Sequence, residues 1–327
     1  MKNRNIMNTV ILCTIVSILI TCTNSPNKIH SQQSDNVLYK KDSSYQWTRV
    51  IENAKWSKSY NFQMFSIKDT LWVFHSDGNW FSTNGMDWKK SPLKNSLNNL
   101  AFLDYVYFKG TMYGLGHFEG NIERHKLKTD IHITTDFKKW ETITQNNLPK
   151  RFFYHPFVYQ DKLWIIGGED KNRKYSDIWT SVDGINWVKQ QENLPFGFND
   201  GGQFVVFNSK VYMFRSDVWS SSDGLNWEQV SSAIVPGEEI FGYAPVVFDD
   251  KIWLLGCNRN GQFTNQVLVS SDGKNWTGHD APWTARGGVA ATVHKGKIYM
   301  TGGKYGGTPN HPEFRYDNDL WTLEKVK

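Results

Sequence analysis

Arginine is the residue type whose placement in this chain most suggests chemistry. Arg151 and Arg286 open two similar segments, RFFYHPFVYQDKLWIIGG and RGGVAATVHKGKIYMTGG, at the same position. A third copy has Asn199 there, with Asp200 beside it, and Arg215 and Arg259 follow the apolar strand of two further copies. A guanidinium fork matches planar anions such as carboxylate or sulfate, so several of them around one opening would bind an anionic ligand. The competing reading is that such arginines brace one repeat against the next. Glu119, Glu239, Tyr154 and Tyr243 are candidate companions as acid, base or hydrogen-bond donor.

Other chemistry is less visible. Nine His include no HExxH pair, the three Cys have no metal-ligand spacing, and GGTP at Gly306 lacks the Lys-Ser/Thr of a phosphate loop. Cys257, after LLG, reads as a small buried residue. No metal or cofactor is expected.

The elements that must position these residues are repeats. SDIWTSVDGINW (176–187), SDVWSSSDGLNW (216–227), NQVLVSSDGKNW (265–276) and DGNWFSTNGMDW (77–88) align without gaps, and TDIHITTDFKKW (129–140) is a degenerate copy. Ahead of each lies a strand of one type: DTLWVFH, GTMYGLG, DKLWIIGG, SKVYMFR, DKIWLLG and, last, GKIYMTGG. The closing residues Trp88, Trp140, Trp187, Trp227 and Trp276 recur at the 40–50-residue period of four-stranded propeller blades. The expected fold is therefore an all-β, six-bladed β-propeller over residues 45–327. Its last unit, DLWTLEKVK, stops before an outer strand, whereas YQWTRV (45–50) is an orphan strand in step with the series. The N-terminal strand is expected to complete the last blade and close the ring, which removes the exposed sheet edges.

Asp-Gly in the repeated turn supplies a carboxylate for nearby amides and a positive φ for a tight hairpin, so these aspartates read as folding elements. The 15 Trp all fall at repeat positions and none is left as a binding platform. Loops on the opposite face differ: GHFEGNIERHKLKTD from Gly116, GEDKNRKY from Gly168 and GKYGGTPNHPEFRYDN from Gly303 are long, and the fourth repeat has almost none. Unequal loops on a symmetric scaffold create a pocket.

Residues 1–21 combine Lys2 and Arg4 with an apolar run from Ile6 to Ile20, the pattern of a signal peptide. LITC then places Cys22 where bacterial lipoproteins are acylated, and the polar residues 22–44 read as a tether. Cys257 would then be the only thiol left, so no intrachain disulfide is expected. Without Lys2 and Arg4 the net charge falls from +5 to +3, too weak and dispersed for nucleic acid. The expected address is the bacterial cell envelope, with membrane contact through the lipid alone.

The strand ending GG, followed by DIW or DVW, with Arg ahead of the first strand, resembles the Kelch repeat family. Residues 151–187 and 286–321 are its clearest units, although the glycine pair is intact only at Gly167/Gly168 and Gly302/Gly303. The SxDGxxW turn is similar to a shortened Asp-box of the sialidase type. Both resemblances imply a propeller, and the Kelch one implies a site on the long-loop face around the channel mouth. Three classes follow from them. They are a surface module binding a glycan or protein partner, a sugar epimerase or mutarotase of the kind acting on sialic acid, and, less well matched, a sialidase. A copper-radical oxidase would need a Cys–Tyr cross-link that the setting of Cys257 disfavours.

Overall fold

The computed structural model describes residues 38–39, 44–60, 62–93, 103–119, 126–199, 201–307 and 311–326. Residues 1–21, Cys22 and Asp200 lie outside these, so the expected leader, the expected lipidation site and one expected ligand residue are not described. Among the described residues, regular structure is all strand: five sheets hold four antiparallel strands, and a further one holds four antiparallel strands plus a short parallel one at its outer edge. Their innermost strands are Gln63–Ile67, Asp104–Phe108, Phe157–Tyr159, Gln203–Phe207, Ala244–Phe248 and Ala290–His294. Second strands such as Lys162–Ile166 are buried on both faces, because each sheet is packed between two others. Outer strands such as Val188–Gln191 face water and are mostly polar. First and second strands are joined by two-residue turns such as Asn208-Ser209 and Asp249-Asp250, with both residues at positive φ, the conformation that matches strand twist.

The repeated outer turn is a small hydrogen-bonded unit. In the third sheet Ser181 Oγ accepts from the Gly184 amide at 2.8 Å, while Asp183 Oδ1 accepts from the amides of Ile185 and Asn186. Ser221/Asp223, Ser270/Asp272 and Ser82/Asn84 repeat the pattern. Burial opposes ionisation of Asp183 and Asp223, but the hydrogen bonds of the turn prevail and hold both at about 2.

Each turn also touches its neighbour. A Cβ on Gly85, Gly184, Gly224 or Gly273 would collide with Tyr299, Tyr113, Trp164 or Tyr212, the second-strand aromatic of the preceding sheet. The second sheet has Phe137 at this place, at φ 55°, stacked 4.5 Å from Trp72. Trp253 of the fifth sheet instead meets Tyr45, ring centroids 4.9 Å apart, because the sixth sheet has no such turn.

The sixth sheet is assembled from both ends of the propeller. Tyr45–Ile51 pairs antiparallel with Leu320–Lys325, placing Trp47 opposite Leu323 and Arg49 opposite Trp321. Trp47 packs edge-on against Trp283 at 4.2 Å. Contacts between innermost strands continue around the ring: Tyr105 N–H donates to Gln63 Oε1, Phe157 stacks on Phe204, Val205 and Val247 share one core, and Ser66 bonds His294. Within the expected tether, Leu38–Tyr39 forms a short parallel pairing with Thr277 and Gly278 at the edge of the fifth sheet.

Two outcomes follow from this closure. A chain starting at Glu52 should melt well below the intact protein in a circular-dichroism scan, since its sixth sheet has an open edge and Trp283 and Trp253 lose partners; an unchanged melt would contradict the closure. Gly224→Ala should cost about 1–3 kcal/mol in denaturant melts, the range for a non-glycine residue held at positive φ, with its Cβ directed 2.5 Å from the Trp164 ring.

Candidate functional site

Strand register identifies equivalent positions around the ring. In every sheet one innermost residue faces the second-strand aromatic: Phe65–Trp72, Val106–Tyr113, Phe157–Trp164, Val205–Tyr212, Val246–Trp253 and Thr292–Tyr299. Two residues earlier, at the mouth on the long-loop face, stand Gln63, Asp104, His155, Gln203, Ala244 and Ala290. Four consecutive sheets thus carry a polar residue at this position, whereas Ala244 packs against the core between the fifth and sixth sheets and Ala290 is buried in the core of the first and sixth. One residue beyond the position facing the aromatic, Val206 is 43% exposed, whereas Val158, Val247 and Val293 pack against the cores between sheets.

Each arginine expected at this mouth already has a carboxylate partner. Arg151 is buried, donates to Gly167 O at 3.0 Å and pairs with both carboxylate oxygens of Asp177. Arg286, 1% exposed, likewise donates to Gly302 O and pairs with Asp319 and Asp317. Arg215 forms a two-pronged pair with Asp217 and donates to Phe198 O, and Arg259 pairs with Glu238 and donates to Gln266. The bracing is within a sheet, from the segment before the first strand to the start of the third, rather than from one repeat to the next. Asp177, Asp217 and Asp319 also accept from the indole N–H of Trp179, Trp219 and Trp321.

The remaining candidates divide in the same way. Tyr243 is buried and donates to Arg215 O at 2.6 Å across a sheet boundary. Tyr154, its equivalent, reaches Gly116 of the preceding sheet, but among the described residues its buried hydroxyl has no hydrogen-bond partner. Burial, with the charge of Asp104, pushes that phenol well above its ordinary value. Glu239 is exposed on a hairpin beside Asn260. Glu119 lies in the short strand Phe118–Glu119, paired with Lys126–Leu127. Burial pushes the Cys257 thiol up to about 12, so it stays protonated. Among the described residues no three His, Cys, Asp or Glu side chains converge as metal ligands.

The group that the sequence reading missed is Asp104 with His155. His155 Nδ1 lies 3.3 Å from Asp104 Oδ1 across the boundary between the second and third sheets. The imidazole is 29% exposed and the carboxylate 13%, so the pair sits at the edge of solvent. Burial pulls the imidazole down, but the charge and hydrogen bond of Asp104 outweigh it and hold His155 above its ordinary value. Phe153 and His155 both have positive φ, at 60° and 41°, an uncommon conformation for such side chains. Exposed aromatic faces were also missed: Phe198 and Phe314, at 58% and 41%, lie in connecting segments, and Phe241, at 39%, lies in the short strand Ile240–Phe241. The signal that could have found Asp104 and His155 was register, since each stands two residues before the first-strand residue that faces the second-strand aromatic.

These features define an all-β propeller with a mouth that is polar on one side. The solved structure of YjhT matches 84% of this chain and 100% of its own length, with a TM-score of 0.67. At 11% identity this is a likeness of fold. The leucine-zipper-like transcriptional regulator 1 homolog of Drosophila melanogaster is 22% identical over 169 residues, 46% of this chain. The match spans only 17% of that relative's length. No protein-family model matches the chain.

The burial of Arg286 gives a direct test of its role. Arg286→Met leaves Asp319 and Asp317 without their cation and should cost about 3–5 kcal/mol in denaturant melts, the range for breaking a buried ion pair from one side. An unchanged midpoint would return this arginine to the list of ligand-binding residues.

Proposed function

We propose that this protein is a cell-envelope propeller, exported and lipid-anchored at Cys22, that binds a carbohydrate at its channel mouth. The observation that carries the binding reading is the half-ring of Gln63, Asp104, His155 and Gln203 opposite Ala244 and Ala290. Amide, carboxylate and imidazole groups side by side suit a ligand with many hydroxyls. Phe198, Phe241 and Phe314 add apolar faces of the kind that pack against sugar rings. A protein partner would use the same face.

The ion pairs at Arg151, Arg215, Arg259 and Arg286 weaken the case for an anionic sugar, since each guanidinium already has a carboxylate partner. They favour a neutral one. The second reading, a sugar epimerase or mutarotase, is favoured by one observation, the Asp104–His155 pair in a partly exposed setting.

Saturation-transfer NMR of the full-length protein with galactose, glucose and N-acetylneuraminate tests the binding reading. Transfer to a neutral sugar is expected, weakened by about 0.5–1.5 kcal/mol in Gln203→Ala, the net range for one hydrogen bond. No transfer to any of the three at millimolar concentration would contradict it.

A further inference from the structure

We propose that Asp104 and His155 form a proton-transfer dyad at the mouth, with His155 Nε2 acting as the base toward the anomeric hydroxyl of a bound reducing sugar. The inference rests on the carbohydrate reading and adds a reaction and its residues to it. Asp104 lies against Nδ1, so that nitrogen keeps the proton of the neutral ring and Nε2 carries the lone pair. Among the described residues nothing is hydrogen-bonded to Nε2, and the ring is 29% exposed, so a ligand in the mouth can reach it.

The surroundings fix the ring in place. His155 sits between Tyr154, wedged against Gly116, and Pro156, which begins the approach to the innermost strand. Its positive φ, with that of Phe153, turns successive side chains toward different neighbours: Phe152 and Tyr154 are buried, while His155 is left at the surface. Strain held by a packed frame is a feature of sites that orient a functional group. The charged and titratable groups near the dyad are the Tyr154 phenol, which stays neutral, and Arg151, which is neutralised by Asp177. Asp104 is therefore the charge that sets the proton affinity of His155.

The chemistry balances without a cofactor. Nε2 takes the proton of the anomeric hydroxyl as the bond from the anomeric carbon to the ring oxygen breaks. The electron pair of that bond moves to the ring oxygen, which takes a proton from water, and the resulting hydroxide is reprotonated by the imidazolium. The open-chain carbonyl rotates, and the same steps in reverse close the ring on its other face.

The test uses galactose as the probe and full-length protein, with anomeric exchange measured by NMR exchange spectroscopy beside saturation transfer. The intact protein should speed exchange above buffer. His155→Gln, whose amide can still donate to Asp104, should lower the catalysed rate at least about 100-fold, the lower range for loss of a positioned base and far more than it weakens saturation transfer. The intact rate should fall as acid protonates His155, and Asp104→Asn should move that fall to lower pH, because it removes the charge that raises His155. A His155→Gln protein that binds galactose and keeps its catalysed rate would overturn the dyad. Galactose binding with no faster exchange in the intact protein would overturn it too, and leave the binding reading standing. Absence of binding would remove both.

Discussion

The closest constraint in this molecule is the contact between each outer turn and the second strand of the sheet before it. A turn glycine lies so near a Tyr or Trp ring that no Cβ fits between them. Sheets packed face to face around an axis must converge toward the centre, and the aromatic rings wedge them apart by a fixed amount at the periphery. Where the glycine gives way to Phe137, the contact becomes ring on ring against Trp72. Where the sixth sheet has no turn to offer, Tyr45 of the N-terminal strand takes its place on Trp253. Ring closure is therefore part of the same packing series as every other boundary.

A second constraint acts within each sheet on the opposite face. Gly167 and Gly302 follow second strands at φ 67° and 74°, and their sheets take the bracing cation from Arg151 and Arg286, ahead of the first strand. The first and fourth sheets lack that glycine and carry His75 and Arg215 in its place, and these are the side chains that meet Asp77 and Asp217. Burial opposes the Asp77 charge, yet hydrogen bonds from His75 and Ser57 hold its carboxyl well below the usual range. Buried carboxylates near the strand entries need such partners, because an unpaired charge there costs several kcal/mol.

Repeat period, strand order and closure were legible in the sequence because each depends on residue types that recur. Trp and Asp-Gly mark the outer turn, and the orphan YQWTRV has no other sheet to complete. The turn glycines were legible as hairpin residues but not as contact points, since the ring that needs their missing Cβ lies in another repeat. The arginines illustrate the opposite failure. Their recurrence looked like convergence on one opening, yet recurrence is what a brace needed in several sheets would show, and Asp177 and Asp319 recur with them.

The polar half-ring escaped notice for the complementary reason. At the position shared by Gln63, Asp104, His155, Gln203, Ala244 and Ala290 the repeat fixes where a side chain stands but not what it is. Packing requires little there: a methyl group satisfies it in two sheets, and the edge of solvent tolerates charge in two others. A position that the scaffold fixes in space and leaves free in composition is where a symmetric fold can carry a difference without losing stability. Asp104 and His155 fall on adjacent sheets, so their encounter is built from two such free positions and from no motif in either repeat. The search for chemistry in a ring of repeats accordingly favours equivalent positions whose residues disagree, read by strand register, over residues that recur.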